Sequence, residues 1–426
     1  MTTHGPQDGR PENHWQAQPP GASEGLFNTG PATQPTPLAT RPVQEPWPGP
    51  VKPRPAARAV LNTAFLGGVS VVVVGVLLYF AARMGPQVFI LCALLALVPL
   101  AICLLVLHWI DRWEPEPRLA LLGAFLWGAG ASVAVSLLVG GVVTRMVIAS
   151  VASADPTVVS AVLQAPLVEE TAKGIGVLLL FFLRRPTFNG PVDGIVYAGT
   201  VAAGFAFTEN IIYFYSAVSD SGTVGRTLVQ VFILRGLLSP FAHVMFTGTM
   251  GAILGLAARY GNTPAALLAW AAGLIPAVAL HALWNSSTLI SQSFLAVYIV
   301  LQLPLFLLAV LAIVLMRRAE SRLTFQRLGD YVPSGWLTAQ EVGMLATGQG
   351  RRLAIRWARG FDADRIMRRF AVAATRLAFA RQRIVVGKDV PRNRLEEQRL
   401  LQDIAEARQQ LFARLDGGRT PGQAAR

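Results

Sequence analysis

Eight long apolar runs dominate the sequence and restrict the folds open to it. Each is close to the roughly 20 residues that a helix needs to cross the hydrocarbon core of a bilayer. Apolar residues make up 53% of the 426-residue chain, charged residues only 14%, and the mean hydropathy is +0.46. The runs cover residues 60–82, 87–108, 119–143, 157–183, 192–215, 229–257, 265–288 and 293–316. This pattern predicts an all-α polytopic membrane helix bundle with about eight transmembrane helices.

The segments on either side of these runs differ from them and from each other. Residues 1–59 are rich in Pro, Gly, Gln and Thr, and they lack the basic start and apolar core of a cleavable signal peptide. This composition predicts that residues 1–59 form a disordered arm. Residues 317–426 carry 22 Lys and Arg against 11 Asp and Glu, in stretches typical of helices. The sequence therefore divides into an arm at 1–59, a membrane domain at 60–316 and a basic helical tail at 317–426.

The distribution of basic residues between the runs predicts the topology. "KPRPAAR", "DRWEPEPR", "RRP", "ARYG" and "MRRAESR" fall on one side, with Arg83, Arg145 and Arg226 as single exceptions on the other. By the positive-inside rule, we expect an integral multi-pass protein of the plasma membrane with both termini in the cytoplasm. The tail's expected partner is the anionic lipid surface rather than nucleic acid.

Three local patterns add detail to this outline. Thr338 and Glu341 have the spacing of a capping box and predict a helix start. The segment "RIMRRFAVAATRLAFARQRI" mixes Arg with apolar residues and predicts a basic amphipathic helix lying on the membrane or on a partner. Gly251 and Gly255, four residues apart, favour close approach of membrane helices.

The fourth run, "PLVEETAKGIGVLLLFFL", contains three ionisable residues near its start. Charges in membrane spans are costly and mark functional sites by default. Helical spacing lets Lys173 reach either Glu169 or Glu170, so a structural ion pair is the simplest alternative. A simple pair needs only one acid, however, and this run carries two.

The next three runs add further polar groups. The fifth contains Glu209 beside Asn210, the sixth contains His243, and the seventh contains His281 with Asn285 one turn later. A lone buried histidine is more often a satisfied polar residue than a ligand. Two of the chain's five histidines in adjacent spans, beside spans with three glutamates, favour a shared site instead.

Two imidazoles and a carboxylate are a familiar ligand set for catalytic zinc. Glu169 and Glu170 would supply a general base and a further ligand, and Asn285 could orient an imidazole or an oxyanion. Asp193 lies near a helix start and could equally be a cap. The chain has no HExxH, and it has no GxSG or GxGD motif in a membrane run, which argues against the common zinc, serine and aspartate intramembrane proteases.

Several motifs, in order along successive spans, resemble the PrsW family of intramembrane metalloproteases, which is related to the CAAX prenyl protease and bacteriocin-processing group. They are "DRWEPEP", "EETAK", "DGIVYAGTVAAGFAFTEN", "HVMFT" and "HALWN", within about residues 105–290. The resemblance implies metal-dependent cleavage of a membrane-anchored protein, for which anti-sigma factors are the family's suggested substrates.

Carried onto this chain, the resemblance assigns seven residues to the site. His243 and His281 would be metal ligands, Glu169 or Glu170 the base, and Lys173 and Asn285 supports. Glu209 stands where the related prenyl proteases have a histidine, so it is either a ligand or a second acid. The implied cofactor is a divalent metal, by preference Zn²⁺.

Two other functions fit the same residues. A proton-coupled transporter or channel would use the Glu and His side chains as a proton relay. Such proteins often contain inverted repeats, and the sequence has no clear repeat. An inert membrane scaffold would tolerate Glu170→Gln and His281→Ala without functional change.

Overall fold

The computed structural model describes residues 55–150, 155–222, 224–289 and 294–417. The predicted disordered arm therefore lies almost entirely outside the described residues. The described regular structure is helical throughout, as predicted. The principal helices are α1 (Pro55–Met84), α2 (Pro86–Asp111), α3 (Arg118–Ser150), α4 (Ala165–Arg184), α5 (Pro191–Ser221), α6 (Arg226–Phe232), α7 (Ala242–Tyr260), α8 (Thr263–Leu289), α9 (Leu303–Gly329), α10 (Ala339–Leu345), α11 (Gly348–Arg359), α12 (Asp364–Val385) and α13 (Val390–Gly417).

Seven stretches of the described helices are long and apolar enough to cross a membrane. The remaining predicted span, the fourth (residues 157–183), contains α4, which is a 20-residue helix but is not among the seven. Three of its four charged residues, Glu169, Glu170 and Lys173, lie within five positions and reduce its apolar character. The prediction of an all-α polytopic membrane bundle is confirmed, and the span that deviates from it is the one with the unusual charges.

Helix α5 is the central helix of the membrane bundle. Every residue from 191 to 206 is buried, because α2, α3, α4 and α7 pack around it. Many of these residues are Gly or Ala, which let neighbouring helices approach closely. Pro191 supplies the fixed φ suited to a first helical turn, and Gly222 ends the helix in a left-handed conformation with φ 65°.

The crossing of α5 and α7 is a direct backbone contact. A Cβ atom added to Gly194 would lie 1.9 Å from the carbonyl oxygen of Gly251, and one added to Gly251 would lie 2.2 Å from that of Gly194. One turn further along α7, a Cβ on Gly255 would lie 2.3 Å from the oxygen of Gly190. The small residues at 251 and 255 thus allow the close approach that their spacing predicts.

The sixth predicted span, residues 229–257, is not one continuous helix. It is interrupted at Ser239, Pro240 and Phe241, between a π-helical turn at Ile233–Leu238 and the start of α7. Proline has no backbone N–H to donate, so the helical hydrogen bonds stop there. At the break, the Ser239 hydroxyl donates to the oxygen of Leu234 (2.7 Å) and the Cys103 thiol donates to that of Pro240 (3.0 Å).

The tail helices enclose an apolar core of their own. Helix α12 was predicted to lie on the membrane or on a partner, but its apolar face packs inside the tail. Its buried side chains meet those of α13, and the α9 end and α10 cover the same core. Among the core residues are Phe370, Ala374, Leu377, Ile404 and Leu411. The predicted capping box at the start of α10 is present, with Thr338 and Glu341 each accepting the other's backbone N–H.

Polar contacts join the tail to the membrane helices. Arg351 stacks on the Trp113 ring at 3.6 Å and donates to the Trp113 carbonyl at 3.1 Å. Arg383 donates to the Asn189 side chain in the loop between α4 and α5. Glu320, buried in α9, pairs with Arg259 at the end of α7 at 3.2 Å. Helix α9 itself runs through residue 317, the predicted start of the tail.

Candidate metal centre

Four membrane helices bring the predicted ionisable residues together in one buried cluster. Helix α4 contributes Glu169, Glu170 and Lys173, and helices α5, α7 and α8 contribute one residue each, namely Glu209, His243 and His281. The imidazole rings of His243 and His281 are nearly perpendicular, with centres 5.0 Å apart. Phe205 and Phe246 pack against these rings and form the apolar wall of the cluster.

Lys173 is fully buried and holds the cluster together. Its Nζ atom lies 2.5 Å from Glu170 Oε1 and 3.2 Å from His243 Nδ1. It also lies 4.3 Å from the centre of the Phe205 ring. A buried ammonium is stable only when it is paired and hydrogen-bonded, and these three contacts provide that environment.

Glu170 is also fully buried, and both of its oxygens are engaged. Oε1 contacts Lys173 Nζ and lies 3.0 Å from His281 Nδ1. Oε2 accepts a hydrogen bond from the Thr247 hydroxyl at 2.7 Å. A carboxylate bonded to one imidazole nitrogen orients the ring and leaves the other nitrogen available as a ligand. The Nε2 atom of His281 indeed faces Glu169 Oε2, at 3.9 Å.

Glu169 is the residue of this cluster that has a buried oxygen without a hydrogen bond in the described structure. Its Oε2 atom is buried and accepts no hydrogen bond from the described part of the chain. The nearest nitrogen atoms of its neighbours, Lys173 Nζ and His281 Nε2, are 4.0 and 3.9 Å away. One ligating atom from each of Glu169, His243 and His281 lies within 4.8 Å of the other two. An unsatisfied carboxylate beside two imidazoles fits a divalent cation.

The balance of charges in the cluster also supports a bound cation. Three carboxyl groups, at 169, 170 and 209, face two basic side chains, Lys173 and Arg235. With neutral imidazoles the cluster has an excess of negative charge. In a low-dielectric interior such an imbalance is costly unless a cation or a proton offsets it.

Sequence reasoning missed Arg235, which lies in the π-helical turn before the break. Its guanidinium pairs with Glu209 Oε2 and donates from Nε to the Asn210 side chain at 3.0 Å. Glu209 Oε2 also lies 2.8 Å from His243 Nε2. A usable signal was present, because Arg235 is an ionisable residue inside the apolar run 229–257.

Thr247 was also missed, although it closes the "HVMFT" motif. It lies four residues after His243 on α7, so both side chains point toward α4. Its hydroxyl donor to Glu170 is fully buried. An i, i+4 threonine after a candidate ligand would have been the signal.

Two predicted residues do not join the cluster. The Asn285 side-chain amide donates to the carbonyl of Ala161 at 2.7 Å, in the π-helical turn before α4, and in the described structure it bonds to neither histidine. Asp193, in the first turn of α5, accepts the backbone N–H of Asn189 in the preceding loop at 2.6 Å, and the N-cap of α5 is Gly190, without a side-chain cap.

The fold and the site together define a class: a polytopic helical membrane protein with a buried Glu and His cluster suited to a divalent cation. The model of the family described as PrsW family intramembrane metalloprotease matches residues 116–313. With the relatives below, this match shows that the chain belongs to the PrsW family.

Three similar proteins carry the name Protease PrsW. That of Clostridioides difficile (strain 630) is 35% identical over 158 residues, which are 37% of this chain and 62% of the relative. That of Geobacillus kaustophilus (strain HTA426) is 31% identical over 166 residues, 39% of this chain and 66% of the relative. That of Oceanobacillus iheyensis (strain HTE831) is 30% identical over 166 residues, 39% of this chain and 70% of the relative.

The match thus spans less than two thirds of the first two relatives. The tail from α10 onward lies outside the matched family region. No solved structure matches this chain at a significant level.

Proposed function

We propose that this protein is an intramembrane metal-dependent endopeptidase that cleaves a membrane-anchored protein. The observation that carries the proposal is the buried Oε2 atom of Glu169, which has no hydrogen-bond partner in the described structure and lies beside His243 and His281, in a chain of the PrsW family. The cluster also has an open edge. The Glu169, Glu209 and Arg235 side chains keep 12–16% exposure, whereas Glu170 and Lys173 have none.

Glu169, His243 and His281 would hold the cation, and the nitrogen and oxygen donor set suits zinc. When bound, a divalent cation supplies the Lewis acidity that activates water and polarises a peptide carbonyl. Glu170 orients His281 through Nδ1. Lys173 holds Glu170 in place through its contact with Oε1.

The general base in this proposal is Glu209 rather than Glu170. Both Glu170 oxygens are already engaged by Lys173, His281 and Thr247, so this carboxylate is poorly placed to take a proton from water. Glu209 lies at the open edge, 2.8 Å from His243 Nε2. Because Arg235 pairs with the same oxygen, Glu209 is held in one orientation.

The expected substrates are membrane-anchored anti-sigma factors or related single-span proteins, cleaved within the plasma membrane. In this proposal the membrane domain of residues 60–316 carries the catalysis. Both termini, with the arm at 1–59 and the tail at 317–426, face the cytoplasm.

The first test is the metal content of the full-length protein in detergent, measured by elemental analysis. Near-stoichiometric zinc is expected in the wild type. The zinc content per protein should fall by about tenfold or more in Glu169→Gln, His243→Ala and His281→Ala. His108→Ala is the matched control, because His108 lies on membrane helix α2 and is exposed. A metal-free wild type, or equal loss in His108→Ala, would contradict the proposal.

The second test is cleavage. The chain is reconstituted with tagged, single-span anti-sigma factors, and fragments are identified by mass spectrometry. A new fragment that disappears with a chelator and with Glu169→Gln is the expected result. No fragment from any membrane-anchored substrate, despite bound zinc, would exclude the endopeptidase.

A proton-relay transporter is the second candidate, because Glu209, His243, Lys173, Glu170 and His281 form one continuous chain of polar contacts. A relay needs no bound metal. Proton flux across vesicles that persists after chelation and stops in His243→Ala would favour it over the hydrolase.

A further inference from the structure

A second polar site lies away from the candidate metal centre, where the ends of membrane helices meet the tail. It is a cavity of about 550 Å³ between the first turns of α1, the end of α4 with the loop after it, and the turn between α12 and α13. Five basic side chains line it, against one acidic side chain, Asp389. The basic residues are Arg184, Arg185, Arg383, Lys388 and Arg392.

Most of this positive charge has no counter-charge within the described structure. Arg185 and Arg392 form no hydrogen bond or ion pair there through their side chains, and the buried Nε of Arg184 has no partner. Arg383 is the exception, since it pairs with Glu396 at 3.0 Å. Several guanidinium donors therefore remain free for a ligand.

Lys388 shows that these charges act on one another. Its ammonium donates to the Ala258 carbonyl at 2.7 Å. Burial, with the neighbouring cations Arg383 and Arg185, lowers the pKa of Lys388 to about 8. A group of cations that repel one another in this way is stabilised by an anion placed among them.

The walls of the cavity indicate what kind of anion fits. Leu61 in the first turn of the membrane-spanning part of α1 and Phe182 near the end of α4 form an apolar edge, and both are exposed. A soluble phosphate has no apolar part that could contact such an edge. A phospholipid does, because its phosphate and its acyl chains require a cationic floor and an apolar wall next to each other.

We propose that this cavity, which we name the basic pocket, binds the phosphate headgroup of an anionic phospholipid. Guanidinium groups bind phosphate oxygens through charge-assisted, often paired hydrogen bonds. The bound lipid would fill the junction between the membrane helices and the tail. The proposal does not depend on the proposed protease activity, since none of these residues belongs to the metal centre.

The test uses the full-length protein in detergent and native mass spectrometry with added phosphatidylglycerol or phosphatidylcholine. We expect the first phosphatidylglycerol to bind on the order of tenfold more tightly than phosphatidylcholine. The double variant Arg185→Gln/Arg392→Gln should lose most of this preference. Because neither side chain has a partner to lose, the variant should keep the wild-type unfolding temperature.

The matched control is Arg365→Gln/Arg368→Gln, which removes the same charge from exposed positions of α12 outside the basic pocket. This control should keep the lipid preference within about twofold. Equal binding of the two lipids, or equal loss in both double variants, would overturn the proposal. Glycerol 3-phosphate that displaces phosphatidylglycerol at equal concentration would identify a soluble phosphate ester as the ligand instead.

Discussion

At the scale of single residues, the candidate site depends on a difference in hydrogen bonding between two adjacent carboxyl groups, those of Glu169 and Glu170. Glu170 accepts contacts from Lys173, Thr247 and His281, whereas the adjacent Glu169 has a buried oxygen without a hydrogen bond. Neighbours in sequence thus acquire different roles, because helical geometry points them toward different helices. Glu170 connects three neighbouring side chains, and in the proposed site Glu169 would bind the cation.

Thr247→Val tests the organising role of Glu170. The variant removes the hydroxyl donor of a buried carboxyl oxygen, and leaving a buried acceptor without its partner typically costs about 1–3 kcal/mol. Thr249→Val is the control, because in the described structure the Thr249 hydroxyl bonds only to the Met245 carbonyl of its own helix, and the loss of this bond should cost roughly 0.5 kcal/mol or less. Denaturation in detergent measures both, and equal destabilisation would contradict the assigned contact.

Arg235→Gln tests the pairing of Arg235 with Glu209. Removing this cation lowers the local positive potential, so we expect zinc to bind about tenfold more tightly. Cleavage should nevertheless slow, because Glu209 loses the group that orients it. Competition with a chromogenic chelator measures the affinity. Weaker zinc binding in Arg235→Gln would show that the arginine supports the ligands instead of opposing the cation.

At the scale of helices, the site depends on the contact between α5 and α7, which carry Glu209 and His243. Gly194 and Gly251 place the two backbones in contact. Arg235 lies in the π-helical turn before the break at Pro240, and it pairs with the same Glu209 oxygen that lies 2.8 Å from His243 Nε2. A continuous helix through 229–257 would not place Arg235 and His243, eight residues apart, on the same carboxylate oxygen.

Gly251→Ala should therefore disturb both stability and metal binding. Its Cβ would meet the Gly194 carbonyl at 2.2 Å, so the helices must separate, at a cost of about 1–3 kcal/mol. Gly248→Ala is the control on the same helix, since no atom lies within 4 Å of its added Cβ. This control should retain its zinc content, and its stability should rise by up to about 1 kcal/mol because Ala has a higher helix propensity than Gly. Zinc loss in both variants would argue against the crossing as the cause.

At the scale of the whole molecule, the tail is built into the membrane domain through buried polar contacts. The Arg351 guanidinium stacks on Trp113 and also donates to the Leu345 carbonyl (2.6 Å) and the Thr375 hydroxyl (2.5 Å). Burial lowers the pKa of Arg351 to about 9. The guanidinium thus bonds within the tail and to the loop that follows α2, and so joins the two parts.

Arg351→Ala should loosen this joint without unfolding the membrane bundle. Hydrogen exchange should rise in the loop at 112–117 and in α11, while the core of α5 stays protected. Arg352→Ala is the neighbouring control, because Arg352 is exposed. Hydrogen–deuterium exchange with mass spectrometry measures each segment. Unchanged protection of residues 112–117 in Arg351→Ala would show that other contacts hold the tail.

Most of the fold and many of the site's residues could be predicted from the sequence. Apolar length predicts membrane helices because lipid requires every backbone group to be bonded within the helix. The same cost makes Glu169, Glu170, Lys173, Glu209, His243 and His281 conspicuous in their runs. Arg235 carried the same signal, but its partner is set by the helix break and could not be inferred from spacing.

The sequence by itself determined which segments enter the membrane and which polar residues are costly there, since both follow from local composition. Only the tertiary structure decided the partners: Thr247 with Glu170, Arg235 with Glu209, and Asn285 with Ala161 instead of an imidazole. Likewise, it turned the apolar face of α12 onto the tail's own core. Amphipathicity specifies that a face must be covered, but the covering surface comes from elements distant in sequence.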